Sequence, residues 1–219
     1  MSAPGRERRA SERKRLVAGA YDHMAEGFLA RLREMPSERF TAYLERVTEG
    51  LDRQARVLDL GCGAGVPFTR WLAARARVVG VDISRGQLAL ARRNVPETSL
   101  LLADMCSLQF RAASYDAITA LYSIIHVPRE EQEALLGTLG SFLKPGGRLL
   151  AVFGYNDWEG SEENWLGLGA TMYWSHYGAD AYGPMLERAG FRVLQSAFEP
   201  DNIDDSGGAH LFVIAERAR

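Results

Sequence analysis

Lysine is nearly absent from this sequence: among 219 residues, only Lys14 and Lys144 carry an ammonium side chain. There is accordingly no Gly-Lys-Ser/Thr phosphate loop and no tyrosine with a lysine four residues on, which disfavours P-loop nucleotide hydrolysis and the common short-chain dehydrogenase chemistry. Cysteine is as scarce. Cys62 and Cys106 have neither metal-ligand spacing nor the density of a disulfide scaffold, so both read as reduced thiols and no metal site is expected. Long apolar runs are missing too. No window approaches the roughly eighteen consecutive apolar residues of a membrane span, and the first residues hold no apolar stretch of a secretion signal. A cytoplasmic protein without a membrane partner is expected. Nor does one sign of charge prevail, and a net charge of −2 argues against a surface built to hold nucleic acid or an acidic membrane.

What is present is an ordinary globular composition, 47% hydrophobic and 25% charged, at a length that suits one sizeable core. Residues 1–14 read as a basic, disordered tail, because almost no apolar side chain anchors them. Residues 15–219 read as a single domain. Its first part, 15–52, is expected to be a helical cap. Leu16, Val17, Ala20, Tyr21, Met24, Phe28, Leu29 and Leu32 share one face of a helix from Arg15 to about Glu34. Met35-Pro36-Ser37 ends it, and Phe40, Tyr43, Leu44, Val47 and Leu51 repeat the pattern.

Across 55–153, "RVLDL", "RVVGVD", "SLLLAD", "YDAITAL" and "GRLLAVF" lack alternation, the mark of parallel strands buried on both faces. Helices near 66–74, 84–94 and 128–143 lie between them. Residues 154–177 form an irregular insertion with Trp158, Trp165 and Trp174, three of the four tryptophans. The last part, 178–219, holds a helix ending at Gly190 and two strands, "FRVLQSAF" and "HLFVIAE". Their connection is too short for a crossover, so the pair is expected to be antiparallel. The fold class is α/β: a doubly wound, mostly parallel seven-stranded sheet with a C-terminal antiparallel strand pair and an N-terminal helical cap.

In such sheets ligands bind at the carboxyl ends of the strands. Three successive strands end at or beside Asp59, Asp82 and Asp104, and the first leads into "GCGAG" with Gly61, Gly63 and Gly65. The dinucleotide fingerprint wants glycine at its sixth position, where Val66 stands. Asp82 does not discriminate, since it lies about twenty residues on, as a ribose-binding acid does in dinucleotide folds. Asp59 is more telling. A carboxylate beside a pyrophosphate costs roughly 4 kcal/mol at about 4 Å and an effective dielectric of 20, so a ligand with positive charge near the loop fits better. S-adenosylmethionine, with a sulfonium and an ammonium, is such a ligand.

"VLDLGCGAG", "VVGVDIS", "LLADM", "YDAITALYSIIHV" and "LKPGGRLL", in this order over 57–150, resemble the motif set of class I S-adenosylmethionine-dependent methyltransferases of the small-molecule type. The resemblance implies that Gly61, Gly63 and Gly65 meet the methionine part of the cofactor with support from Asp59. It also implies that Asp82 takes the ribose hydroxyls, that Ile83 lies against the adenine and that Asp104 with Met105 reads the adenine edge. Leu121 would lie near the transferable methyl. "YDHMAEGF" resembles a helix that closes over the cofactor in many members, which would bring Tyr21 there; packing into the core is the competing role. Gly183-Pro184 departs from the family pattern, and because proline fits only a helix's first turn, the start of the helix ending at Gly190 is left open.

A general base is needed only if the acceptor loses a proton on transfer. The candidates are His126, after the fourth strand, and His176, in the insertion. Tyr173 and Trp174, with Trp158 and Trp165, could form a lid over a flat or cationic small molecule, since Asp157, Glu159, Glu162 and Glu163 lie nearby. Alternatively the tryptophans pin a long connection to the sheet. No Asn/Asp-Pro-Pro-Tyr follows the fourth strand, so a nucleic-acid base is not expected as acceptor. A non-catalytic cofactor-binding partner module and a nicotinamide oxidoreductase remain as rival functions, and the oligomeric state is open.

Overall fold

The computed structural model describes residues 3–34, 38–200 and 208–218. Three helices come first: α1 (Ala3–His23), α2 (Ala25–Glu34) and α3 (Glu38–Val47). Then β1 (Arg56–Leu60), α4 (Phe68–Ala73), β2 (Arg77–Asp82), α5 (Arg85–Asn94), β3 (Ser99–Leu102), β4 (Tyr115–Ala120), α6 (Arg129–Phe142) and β5 (Leu143–Gly154) alternate. The chain ends with β6 (Trp158–Glu162), β7 (Met172–His176), α7 (Ala179–Arg188), β8 (Phe191–Pro200) and β9 (Ala209–Arg217). The main sheet has seven strands in the order β3-β2-β1-β4-β5-β9-β8. Its first five strands are parallel, and β9 runs antiparallel to both β5 and β8. The expected doubly wound sheet with a terminal antiparallel pair is what forms. Among the described residues no helix is long and apolar enough to cross a membrane.

Both faces of the sheet are covered, and successive strand residues feed opposite cores. Leu58, Leu60, Ile118, Leu149 and Phe153 pack with Leu136 and Leu139 of α6 and Leu186 of α7. Val57, Ala117, Leu150, Val152 and Phe212 pack with Val17, Phe40, Leu44 and Leu72 of α1, α3 and α4. The outermost strand β3 departs from the expected two-sided burial: Leu101 and Leu102 are 39% and 40% exposed, because only one neighbouring strand and one helix cover an edge.

The N-terminal part also differs from expectation. Residues 3–14 are not a disordered tail but the first half of α1. What anchors them is mostly charge. Lys14 Nζ lies 2.6 Å from Asp104 and 2.7 Å from Glu131, Arg13 pairs with Glu130 and Glu159, and Ala10 is buried. The single helix expected from Arg15 to Glu34 is broken at Met24 into α1 and α2. Its expected terminator, Met35-Pro36-Ser37, lies outside the described residues, as does most of the connection between β8 and β9.

Two further elements differ from their reading in sequence. The insertion is not irregular throughout: β6 and β7 pair antiparallel in a small second sheet, with Gly160 opposite Trp174. The helix before Gly190 starts at Ala179, so Pro184 sits inside it. Tyr182 holds that early start, stacked on Phe153 at 4.0 Å between ring centroids and hydrogen-bonded to Gln132 at 3.0 Å.

Candidate active site

At the carboxyl ends of β1, β2 and β4, under α1 and α2, lies a cavity of about 1160 Å³, part of it open to solvent. Of the glycine loop, Gly61 and Gly63 line it and Gly65 does not. The three glycines have different reasons to be glycine. Gly61, at φ +71°, and Gly65, at φ +79°, would each drive a Cβ into the protein itself, 2.3 Å from Ser123 Cβ and 2.6 Å from Val95 Cγ2. Gly63, at φ +54°, has no protein atom closer than 3.6 Å to such a Cβ, and that atom is Gln87 Oε1. Only here does the loop leave room for something else.

Asp82 ends β2 at the cavity wall, with its carboxylate accepting from the N–H groups of Gly63 and Ser84 at 2.8 Å each. Burial outweighs these bonds and pushes its carboxyl up to about 6. Ile83, Met105 and Leu121 line the cavity as expected. Gln87, in the first turn of α5, was missed. It is buried against the cavity, and neither atom of its amide has a hydrogen-bond partner.

Two of the three aspartates do not line the cavity. Asp59 is not among the lining residues. Its oxygens accept from the hydroxyls of Thr69 and Thr119 at 2.7 Å, so it fastens β1 to β4 and to α4 rather than facing a cationic ligand. Burial pushes its carboxyl up as well. Asp104 is not in the lining either. Lys14 holds it, and it accepts from Cys106 N at 2.9 Å, while Lys14 itself lines the cavity. No local sequence signal marked Lys14, which read as the last residue of a tail.

Part of the cavity wall is aromatic. Tyr21 and His126 both line it, and the Tyr21 hydroxyl lies 3.0 Å from His126 Nε2. His126 Nδ1 is 2.7 Å from the Tyr173 carbonyl, which can only accept, so Nδ1 carries the proton and Nε2 accepts from Tyr21. Desolvation pushes this imidazole down to about 4, against the raising effect of the Tyr173 carbonyl. Burial raises the Tyr21 phenol. Phe28 and Trp165 lie at 5.3 Å and 6.2 Å from the Tyr21 ring, and Trp174 is tilted against His126 at 4.4 Å. Next to Tyr21, Asp22 accepts from Ser84 Oγ at 2.6 Å and Gly86 N at 2.8 Å. The Tyr-Asp pair thus gives one side chain to the cavity and uses the other to tie α1 to the start of α5.

Tyr173 and His176, expected at the site, are elsewhere. The Tyr173 side chain turns to Glu159 at 2.9 Å and to the Arg13 guanidinium. His176 bonds the Asn156 carbonyl at 2.6 Å and packs against Gly154. Strand alternation accounts for the first: adjacent residues of β7 point to opposite sides, and Trp174 is the one turned to the cavity. Tyr122, held at φ +54°, and His210 also line it.

Residues 57–147 match the family pattern of the methyltransferase domain. The chain is 35% identical over 190 residues to methyltransferase GfsG of Streptomyces halstedii, covering 80% of this chain and 66% of that one. It is 30% identical over 192 residues to O-methyltransferase cnsE of Penicillium expansum, covering 79% and 68%. The chain belongs to the class I S-adenosylmethionine-dependent methyltransferases. It spans about two thirds of the length of these two curated relatives. The methyltransferase also shares its fold with the Burkholderia thailandensis 1,6-didemethyltoxoflavin-N1-methyltransferase, solved with 1,6-didemethyltoxoflavin and S-adenosylhomocysteine bound. That likeness has a TM-score of 0.70 at 20% identity over 100% of this chain and 92% of the other. Two observations of its own fit the methyltransferase to an adenosyl ligand: the unpartnered Gln87 amide beside Asp82, and the room over Gly63. Buried amides without partners are rare in native proteins, and this one stands at the cavity wall.

Proposed function

We propose that this methyltransferase is an active enzyme that moves the methyl group of S-adenosylmethionine to a small-molecule acceptor, in the cytoplasm and without nucleic acid as partner. The observation that carries this is one cavity lined by the polar groups of Asp82 and Gln87 together with the Tyr21–His126 pair and its aromatic neighbours. The names of the curated relatives and the small molecule held by the toxoflavin enzyme support the same reading.

In this reading the Asp82 carboxylate accepts from the ribose hydroxyls, with Gln87 as a second polar contact. Ile83 and Met105 flank the adenine, Gly61 and Gly63 face the methionine part, and Leu121 borders the reacting end. Lys14 neutralises Asp104 beside the adenine. S-adenosylmethionine supplies an electrophilic methyl carbon, whose bonding pair to sulfur stays with the departing thioether. What the chain contributes is alignment and exclusion of water, which together are worth roughly 7–11 kcal/mol in well-oriented reactions. His126 is the proton acceptor: its Nε2 lone pair is fixed by the Nδ1–H bond to Tyr173.

Methyl-labelled S-adenosylmethionine incubated with the protein and a pool of small-molecule metabolites tests the proposal. Label is expected in the extractable small-molecule fraction, and His126→Asn is expected to reduce its transfer about 100-fold or more, the usual share of a proton-transfer residue. Saturable binding of the labelled compound with no transfer to any acceptor would instead favour a cofactor-binding partner module.

A further inference from the structure

The start of α5, Ser84-Arg85-Gly86-Gln87, spells the reciprocal capping motif of a helix N-terminus. In that motif the serine hydroxyl accepts from the backbone N–H three residues on, and the side chain there accepts in return from the serine N–H. Only half of it forms. Ser84 Oγ accepts from Gln87 N at 3.0 Å, but the Ser84 N–H is taken by Asp82 at 2.8 Å. The Gln87 amide thus loses its local partner. It is left 1% exposed, with neither its oxygen nor its nitrogen hydrogen-bonded.

Gln87 and Asp82 flank the same residue of the glycine loop. The Gly63 N–H donates to Asp82 Oδ2 at 2.8 Å. On the side of Gly63 where a Cβ would stand, the nearest atom beyond its chain neighbours is Gln87 Oε1, at 3.6 Å. All three residues line the cavity. The ionised carboxylate can only accept hydrogen bonds, whereas the amide needs both a donor and an acceptor. An ammonium would satisfy the amide oxygen alone, and a carboxylate the amide nitrogen alone. Two adjacent hydroxyls satisfy both groups, since each gives one proton and still accepts. Until such a partner arrives, a buried amide without hydrogen bonds destabilises the fold that holds it.

Resting on the methyltransferase reading, we propose that Gln87 holds the ribose diol of S-adenosylmethionine jointly with Asp82, its Nε2 donating to a hydroxyl oxygen and its Oε1 sharing the hydroxyl protons with the carboxylate. Gln87 is then a specificity-determining residue that makes the site require the diol. It does so at the expense of the ligand-free fold, because Asp82 has taken the N–H that would otherwise satisfy it. Binding and stability therefore pull in opposite directions at this one side chain.

Gln87→Met, which keeps the length of the side chain and removes both polar atoms, tests this without turnover. In the ligand-free variant the thermal unfolding midpoint is expected to rise by about 2 °C or more, as an unsatisfied buried group is removed. An unchanged or lowered midpoint would show that the amide is partnered within the fold and would overturn the assignment. Calorimetry with S-adenosylhomocysteine is expected to show about 10-fold weaker binding in the same variant. Adenosine and 2′,3′-dideoxyadenosine, each titrated as a competitor of S-adenosylhomocysteine, locate the contact. The affinity for adenosine is expected to fall by a similar factor, and that for the dideoxy compound to stay within about 2-fold. Equal losses for the two nucleosides would put the amide on the base, and a loss for S-adenosylhomocysteine without one for adenosine would put it on the methionine part; either overturns the assignment. The two levels separate in the wild-type protein: failure to bind S-adenosylhomocysteine contradicts the methyltransferase reading, whereas unaltered binding in Gln87→Met contradicts only the role of Gln87.

Discussion

His126 is held at both ring nitrogens, by the Tyr173 carbonyl and the Tyr21 hydroxyl, with His210 and His176 as the nearby titrating groups that disfavour its charge. Its pKa is lowered from 6.5 to about 4, so between these values the unfolded chain binds more protons than the folded one. Stability from this group is thus complete above 6.5 and is lost as pH falls towards 4. Asp82 has the opposite sign. Its carboxyl is raised from 3.8 to about 6, the folded chain holds the extra proton, and stability from this group falls as pH rises through the same range. The two largely cancel. In His126→Asn only the Asp82 contribution remains, so wild-type stability minus variant stability is expected to rise by about 3 kcal/mol from pH 4 to 6.5, since each tenfold change in proton affinity is worth about 1.4 kcal/mol. Urea unfolding midpoints across that range check it, and a constant difference would mean that His126 is not desolvated. In the proposed function the ionised form of Asp82 would accept the ribose hydroxyls, so affinity for S-adenosylhomocysteine is expected to climb as pH rises through about 6.

At the scale of elements, α7 shows packing overriding a local signal. Gly183 and Pro184 are poor helix formers, yet the buried Tyr182, Met185 and Leu186 hold the helix through them. Gly183 has ordinary helical space around it, with no atom within 4 Å of an added Cβ. Gly183→Ala is therefore expected to stabilise the protein by about 1 kcal/mol, read as a raised unfolding midpoint with unchanged cofactor affinity; a lowered midpoint would show that the position needs glycine. The helices with clear apolar stripes and the Val- and Leu-rich central strands were legible in sequence, because one pattern decides both burial and element. The β6–β7 ribbon was not, since β6 is mostly exposed and carries no alternation for a sheet to impose. Nor was the first half of α1, whose ion-pair partners lie about a hundred positions away in the chain.

For the molecule as a whole, the sequence located the cavity but not the direction in which side chains face. Asp82, the glycine loop and the strand ends were visible as motifs. That Asp59 turns into the sheet, that Tyr173 and Trp174 part company, and that Gln87 is left without partners depend on strand faces and helix rotation, which a linear pattern leaves undetermined. The cofactor reading now rests on Asp82, Gln87 and Gly63 rather than on Asp59. Calorimetric titration of the wild-type protein and Asp82→Ala with S-adenosylmethionine, S-adenosylhomocysteine and NADH tests it most directly. One-to-one binding of both adenosyl compounds is expected, about 10-fold or more weaker in the variant for loss of charge-assisted hydrogen bonds, with no binding of NADH. Binding of NADH with neither adenosyl compound bound would contradict it.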